Sequence, residues 1–240
     1  MEDGDYAEVS DRLFAYVGDD LADANKLFKR MVELRRARMA AIRDVLGEKN
    51  MWKVGPQPHW PLTILIIDEA HTYFREHKGS DKKTKDLAAL AQENTRLVED
   101  VVKKGRSVGI VVILLPQKGT GDALPTSIRD VCPVALSFAQ KAIEAAVAGL
   151  GDDIRNWPDY SPVALLDPAY VGVAVMGMQG SAGFTRVRTP YTSDTDAARI
   201  ARQTAHLTRD PMDLLIAHTS LSLSKATDRS DLSSEEPDTH

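Results

Sequence analysis

The sequence predicts an α/β domain with a mostly parallel sheet flanked by helices, on three observations. Two strand-length apolar runs, Leu62 to Ile67 and Val108 to Leu115, are rich in β-branched residues. Between them, residues 82 to 104 carry an apolar stripe at helical spacing: Leu87, Leu90, Ala91, Leu97, Val98 and Val101. Strand, helix and strand in that order make a parallel βαβ unit, whose crossover is expected to be right-handed.

The remaining elements follow in chain order. Residues 1 to 25 carry eight acids against Arg12 alone, a formal charge of −7. Residues 26 to 49 carry eight bases (Lys26, Lys29, Arg30, Arg35, Arg36, Arg38, Arg43, Lys49) against Glu33, Asp44 and Glu48, a formal +5. Within that basic stretch Ala24, Phe28, Met31, Met39, Ile42 and Leu46 recur at helical spacing, which predicts a long amphipathic helix ending at Gly47. Its basic face reads as solvated, with nucleic-acid contact as the alternative. Pro56, Pro58 and Pro61 break the chain before the first strand. Leu62 to Ile67 hardly alternates in polarity and so reads as a strand buried on both faces. Gly105 closes the helix of residues 82 to 104.

After the second strand comes a loop with Gly119, Gly121 and Pro125, then an apolar segment from Cys132 to Phe138. An Ala-rich helix is expected from Gln140 to Ala148, and residues 149 to 170 are loop-like. Val171 to Met176 and Phe184 to Val187 read as strands around Gly177, Gly180 and Gly183. Asp194 to Leu207 reads as a short helix, and the last 20 residues, rich in Ser and acids, as a disordered tail.

Composition narrows the classes. A chain of 240 residues that is 43% hydrophobic and 27% charged suits one α/β domain or two small ones. No apolar run approaches the roughly 20 residues of a membrane helix. Met1 is followed by Glu2, Asp3 and Asp5, unlike the basic start of a signal peptide. Cys132 is the single cysteine, so no internal disulfide can form. These features together predict a cytoplasmic protein with no membrane segment. The net charge of −5 excludes a uniformly basic nucleic-acid coat but allows a local basic face.

The chemistry concentrates at Ile64-Leu-Ile-Ile-Asp68-Glu69, where an apolar strand ends in adjacent carboxylates. At the C-terminal edge of a parallel sheet these face the crevice where α/β proteins bind ligands. This is the Walker B pattern of P-loop NTPases. In that role Asp68 would hold Mg²⁺ on the phosphates and Glu69 would orient and polarise the attacking water. Gln117 ends the neighbouring strand, about 5 Å away across the sheet, where an amide can reach a γ-phosphate or the water. Arg106 enters that strand at the opposite edge, so it reads as serving a neighbour's nucleotide or a subunit interface, with a plain surface arginine as the alternative. A P-loop needs Gly-Lys followed by Ser or Thr, and the chain has no Gly-Lys pair. The chain therefore reads as the second part of a nucleotide-binding domain whose P-loop lies elsewhere. His71, Glu76 and His77 lack the spacing of a metal site.

In their order along the chain these blocks resemble the FtsK/SpoIIIE family of DNA translocases, including actinobacterial plasmid Tra proteins. Met31-Val-Glu-Leu-Arg-Arg-Ala-Arg-Met39 resembles the family's basic helix before Walker B, and Pro61 to Glu69 its Walker B strand. Arg106-Ser-Val-Gly109 through Pro116-Gln117 is similar to its Arg-Ala-Ala-Gly-Ile…Ala-Thr-Gln segment. Ile128 to Phe138 is similar to the next strand block, and Thr192-Ser193-Asp194 to the Val-Ser-Asp near the motor's end.

The resemblance covers roughly residues 25 to 208 and departs in four places, one being the lack of the membrane helices usual in the family's N-terminal part. Walker A is absent, Ala135 and Ala139 stand where the family often has arginines, and no winged-helix domain of the family's type is evident after residue 208. It implies a partial RecA-like P-loop NTPase fold in residues 25–208, between an acidic segment, 1–24, and a C-terminal segment, 209–240. It implies ATP and Mg²⁺ as cofactors, and as partners double-stranded DNA with a hexamer-like ring or a P-loop-bearing chain. The alternative is a non-catalytic, degenerate motor subunit that assembles with or regulates an intact translocase. Asp68-Glu69-Ala70-His71 also spells the DEAH box of superfamily 2 helicases, but no Gln-x-x-Gly-Arg-x-Gly-Arg segment follows.

Overall fold

Asp20 opens the longest helix. Its carboxylate accepts the N–H groups of Ala22 at 2.8 Å and Asp23 at 2.9 Å, capping helix α1 (Leu21–Leu46). Gly47, at φ 69°, closes it in the left-handed region that suits glycine. The computed structural model describes residues 6–117 and 124–220 of the chain. Strand β1 (Thr63–Asp68) leads into a one-turn helix α2 (His71–Phe74), then α3 (Lys82–Lys104), capped by Asp81, then strand β2 (Ile110–Leu115). β1 and β2 pair in parallel, from Thr63 opposite Ile110 to Asp68 opposite Leu115. The predicted helix of residues 82 to 104 and the predicted parallel pair are both present.

The rest of the sheet corrects the sequence reading. β3 (Val134–Ser137), after the short helix α4 (Thr126–Arg129), pairs antiparallel with β4 (Val173–Met178). β4 in turn pairs antiparallel with β5 (Phe184–Arg188). The described strands thus form a two-stranded parallel sheet and a separate three-stranded antiparallel one, not one mostly parallel sheet. The tight turn around Gly180 and Gly183, both at positive φ, is the reason for the last pair. So short a connection can join strands only in antiparallel fashion.

Helix α5 (Ile143–Leu150) starts three residues later than predicted. Residues 152–170 form a chain of 3-10 turns, three of them started by Pro158, Pro162 and Pro168. α6 (Asp194–Thr204) is followed by a helix the sequence reading missed, α7, over residues 211–220. Asp210 caps it, accepting the N–H of Met212 at 2.9 Å, and Pro211 opens it. Gly119 and Gly121, the first five residues and the acidic tail after residue 220 lie outside the described residues.

Two apolar cores result. The larger joins Phe28, Met31, Leu34 and Ile42 of α1 to Leu65 and Ile67 of β1, Val98 and Val101 of α3, and Ile110 of β2. The smaller joins Ala146 of α5, Ile154 and Leu165 to Val173 and Val175 of β4. The prediction that β1 is buried on both faces does not hold. Thr63, Leu65 and Ile67 are buried, while Ile64 and Ile66 remain 48% and 49% exposed. Ile113 and Leu115 of β2 are bare in the same way.

The basic face of α1 is not simply solvated either. Arg35 is buried against Asp100 at 2.7 Å, Arg30 pairs with Asp210, and Lys29 lies 3.1 Å from Glu93. Arg38 is 1% exposed and has no carboxylate beside it. Its guanidinium donates to the carbonyls of Val108 at 3.1 Å, Gly109 at 3.3 Å and Pro61 at 2.8 Å. Trp60 lies beneath it at 5.2 Å and donates its own indole N–H to Val108. Burial pulls Arg38 down to about 10, so it stays charged at neutral pH. Gly109 is held at φ 77°, and a Cβ there would lie 2.1 Å from the Met51 sulfur.

Arg38→Met is expected to destabilise the chain by about 3 kcal/mol, because it strips donors from buried carbonyls. Arg38→Lys is expected to recover little of this, since one ammonium cannot span three carbonyls in a fork. Urea unfolding of the variants checks both.

His59 and His218 stack face to face, with ring centroids 4.0 Å apart and planes 8° from parallel. Burial and then the charge of His218 hold His59 below its ordinary value. The unfolded chain therefore binds the proton more readily. The contribution is complete above about pH 6.5 and is lost as pH falls toward the lowered folded value. His59→Phe is expected to flatten the stability-versus-pH curve between about pH 7 and 5, measured by urea midpoint.

Candidate functional site

β1 and β2 end side by side, with Asp68 opposite Leu115. The N–H of Ala70 points back at the Leu115 carbonyl, 3.5 Å away, which ties the two strand ends together. Asp68 is half-buried, Glu69 is exposed, and Gln117 is exposed two residues beyond β2. The fold thus brings Asp68, Glu69 and Gln117 to one end of the parallel pair. Arg106 lies at the other end, in a 3-10 turn (Arg106–Val108) before β2. The length of β2 alone, roughly 17 Å, separates it from the carboxylates. The Trp52 indole donates to the Arg106 carbonyl at 2.7 Å, and the Arg106 side chain is exposed.

Glu69 is the one non-glycine residue at positive φ among the described residues, at 43°. Left-handed backbone costs a residue with a Cβ roughly 1–2 kcal/mol. It turns the chain sharply from β1 into α2, with the Ala70 side chain fully buried behind it. The Glu69 N–H donates to Asp68 Oδ1 at 2.8 Å. The other oxygen, Oδ2, accepts the hydroxyl of Tyr6 at 2.7 Å. Sequence reasoning missed Tyr6, which lies 62 residues away in a segment legible only as acidic.

Tyr73 of α2 completes this corner. Its hydroxyl donates to the Gly18 carbonyl at 2.8 Å, and its ring meets Phe28 edge-on. Burial raises the phenol above its ordinary value, and the charges of Asp19, Asp68 and Glu69 add to the shift. His71 and His77 lie nearby in sequence, but no group of three metal-capable side chains occurs among the described residues.

No protein-family model matches the sequence, and no curated protein matches it. Solved structures do. The conjugation coupling protein TcpA of pCW3, solved as a monomer with ATPγS, aligns with a TM-score of 0.60 at 18% identity. The alignment covers 77% of this chain and 49% of TcpA, so this chain spans about half the length of that protein. The chain shares the fold of the part of TcpA that it aligns with. The likeness carries the fold, and it agrees with the resemblance read from Asp68-Glu69 and the blocks around it. The cytoplasmic domain of the Thermomonospora curvata type VII secretion ATPase EccC aligns at 15% identity and a TM-score of 0.48, covering 77% of this chain and 21% of its own. Among the described residues no helix is long and apolar enough to cross a membrane.

Glu69→Gly is expected to hold or raise stability, by up to about 1 kcal/mol, because glycine removes the left-handed strain. Glu69→Val is expected to lower it by about the same amount. Thermal unfolding of the two variants against the wild type checks the strain.

Proposed function

We propose that this chain is the carboxylate-bearing part of an ATP-driven double-stranded DNA translocase motor of FtsK/SpoIIIE type. The observation that carries the reading is the meeting of Asp68, Glu69 and Gln117 at one end of a parallel strand pair, within the fold of a coupling protein solved with ATPγS.

Asp68 suits a magnesium ion by its donors. Both its oxygens already accept polar hydrogens, as they would from metal-bound water, and Mg²⁺ takes one or two carboxylates and completes its shell with phosphates and water. Bound there with ATP, the ion would neutralise charge on the phosphates. Asp68 would hold it, exposed Glu69 would orient and polarise the attacking water, and Gln117 would read the γ-phosphate. Arg106, at the far end, would serve a neighbouring subunit's site in a ring.

The phosphate cradle would come from outside these residues, since no Gly-Lys pair is present. The bare apolar face of β1 and β2 supports this. Ile64, Ile66, Ile113 and Leu115 form the kind of surface that a further layer of an α/β domain covers. DNA contact would be through phosphates and hence salt-sensitive. It falls to bases other than Arg35 and Arg38, which are engaged inside the protein.

The missing cradle also supports a second reading, a non-catalytic subunit that assembles with an intact translocase. Titration with Mg²⁺-ATP is expected to show no micromolar binding by the chain alone; such binding would contradict the missing cradle. In the assembled motor, Glu69→Gln is expected to abolish ATP turnover and leave nucleotide binding intact. Unchanged turnover and transport would favour the non-catalytic subunit.

A further inference from the structure

The acidic segment before α1 crosses the end of β1. We propose that residues 6–20 form an autoinhibitory strap whose Tyr6 hydroxyl occupies the position on Asp68 that a cation's hydration water must take. The inference rests on the reading of Asp68 as the metal-side carboxylate.

The geometry is a direct competition for lone pairs. Tyr6 Oη donates to Asp68 Oδ2 at 2.7 Å, while Oδ1 is held by the Glu69 N–H at 2.8 Å. A hydrated cation approaches a carboxylate with water O–H groups aimed at the same oxygens. The phenol leaves Oδ2 a single lone pair for it, so the cation gains that oxygen's full acceptor capacity only after the phenol has left.

The middle and exit of the strap are anchored independently of Tyr6. Its middle is anchored where Thr208 Oγ1 donates to the Asp11 carbonyl at 2.9 Å and where the Phe14 ring lies 5.5 Å from the Arg30 guanidinium. Its exit is anchored by the Tyr73 hydroxyl on the Gly18 carbonyl. Tyr6 stands just before the 3-10 turn Ala7–Arg12 at the start of this span, with its ring tilted against Tyr16 at 6.3 Å.

Charge explains why the contact is made by a neutral donor. Glu8, Asp11, Asp19 and Asp20 give the strap the same sign as Asp68 and Glu69, and Asp19, Asp68 and Glu69 all act on the Tyr73 phenol. Charge attraction cannot hold such a segment over two carboxylates; a phenol hydrogen bond can. Phosphates arriving at the same end of the sheet would add repulsion and favour release.

The test uses Mn²⁺ as the probe, counted by electron paramagnetic resonance, on the full chain as wild type, Tyr6→Phe and Asp68→Asn. Phenylalanine keeps the ring against Tyr16 and removes the hydroxyl that donates to Asp68. Tyr6→Phe is expected to bind Mn²⁺ about tenfold more tightly than wild type, the scale of one hydrogen bond to a charged group. Asp68→Asn is expected to lose the binding. Hydrogen exchange around Tyr6 is expected to speed up in Tyr6→Phe, and in wild type on adding Mn²⁺. Binding lost in Asp68→Asn but equal in wild type and Tyr6→Phe overturns the strap and leaves the metal reading standing. Equal binding by all three overturns the metal reading, and the strap's role with it.

Discussion

A single buried guanidinium holds the starting end of the parallel sheet. Arg38 reaches from α1 to Pro61 before β1 and to Val108 and Gly109 before β2, so one side chain sets the relative height of both strands. The register at the other end follows, because each strand rises about 3.3 Å per residue from that pin. Asp68 and Leu115 come level only because Thr63 and Ile110 start level. Carbonyl oxygens and an aromatic face satisfy the charge in place of a carboxylate. That arrangement leaves no acid to be protonated and makes the pin insensitive to acid.

The two ends of the sheet therefore differ in kind. The Arg38 end is closed and packed, with both terminal guanidinium nitrogens hydrogen-bonded and a Cβ at Gly109 running into Met51. The Asp68 end is open, turned by a strained Glu69 and crossed by a segment of like charge. Rigidity at one end, with a half-buried and an exposed carboxylate at the other, suits the phosphate chemistry proposed for this site.

Much of this was legible in the sequence where local pattern decides structure. The helix of residues 82 to 104 was set by its own periodicity, with Gly105 as its stop. Asp68-Glu69 at a strand end was visible because an apolar run stops at two acids. What escaped depended on distant partners. Arg38 carries the same letter as the solvated Arg36, and only the fold shows that one of them faces carbonyls. The split of the sheet was hidden because strand propensity does not state direction. Tyr6 gave no signal, since a tyrosine among acids says nothing about a carboxylate 62 residues on. The helix after Asp210-Pro211 carries its own start signal, a capping acid followed by proline.

The uncovered side of β1 and β2 bears on the life of the chain as well as on its chemistry. Ile64, Ile66, Ile113 and Leu115 present the kind of surface that chaperones grip and other exposed strands pair with. A molecule made in excess of whatever covers that surface leaves it bare to water. Its abundance would then be governed by the supply of the cover: copies that meet it persist, and surplus copies are cleared or precipitate. Stoichiometry would be enforced by a patch of aliphatic carbon, without any dedicated sensor.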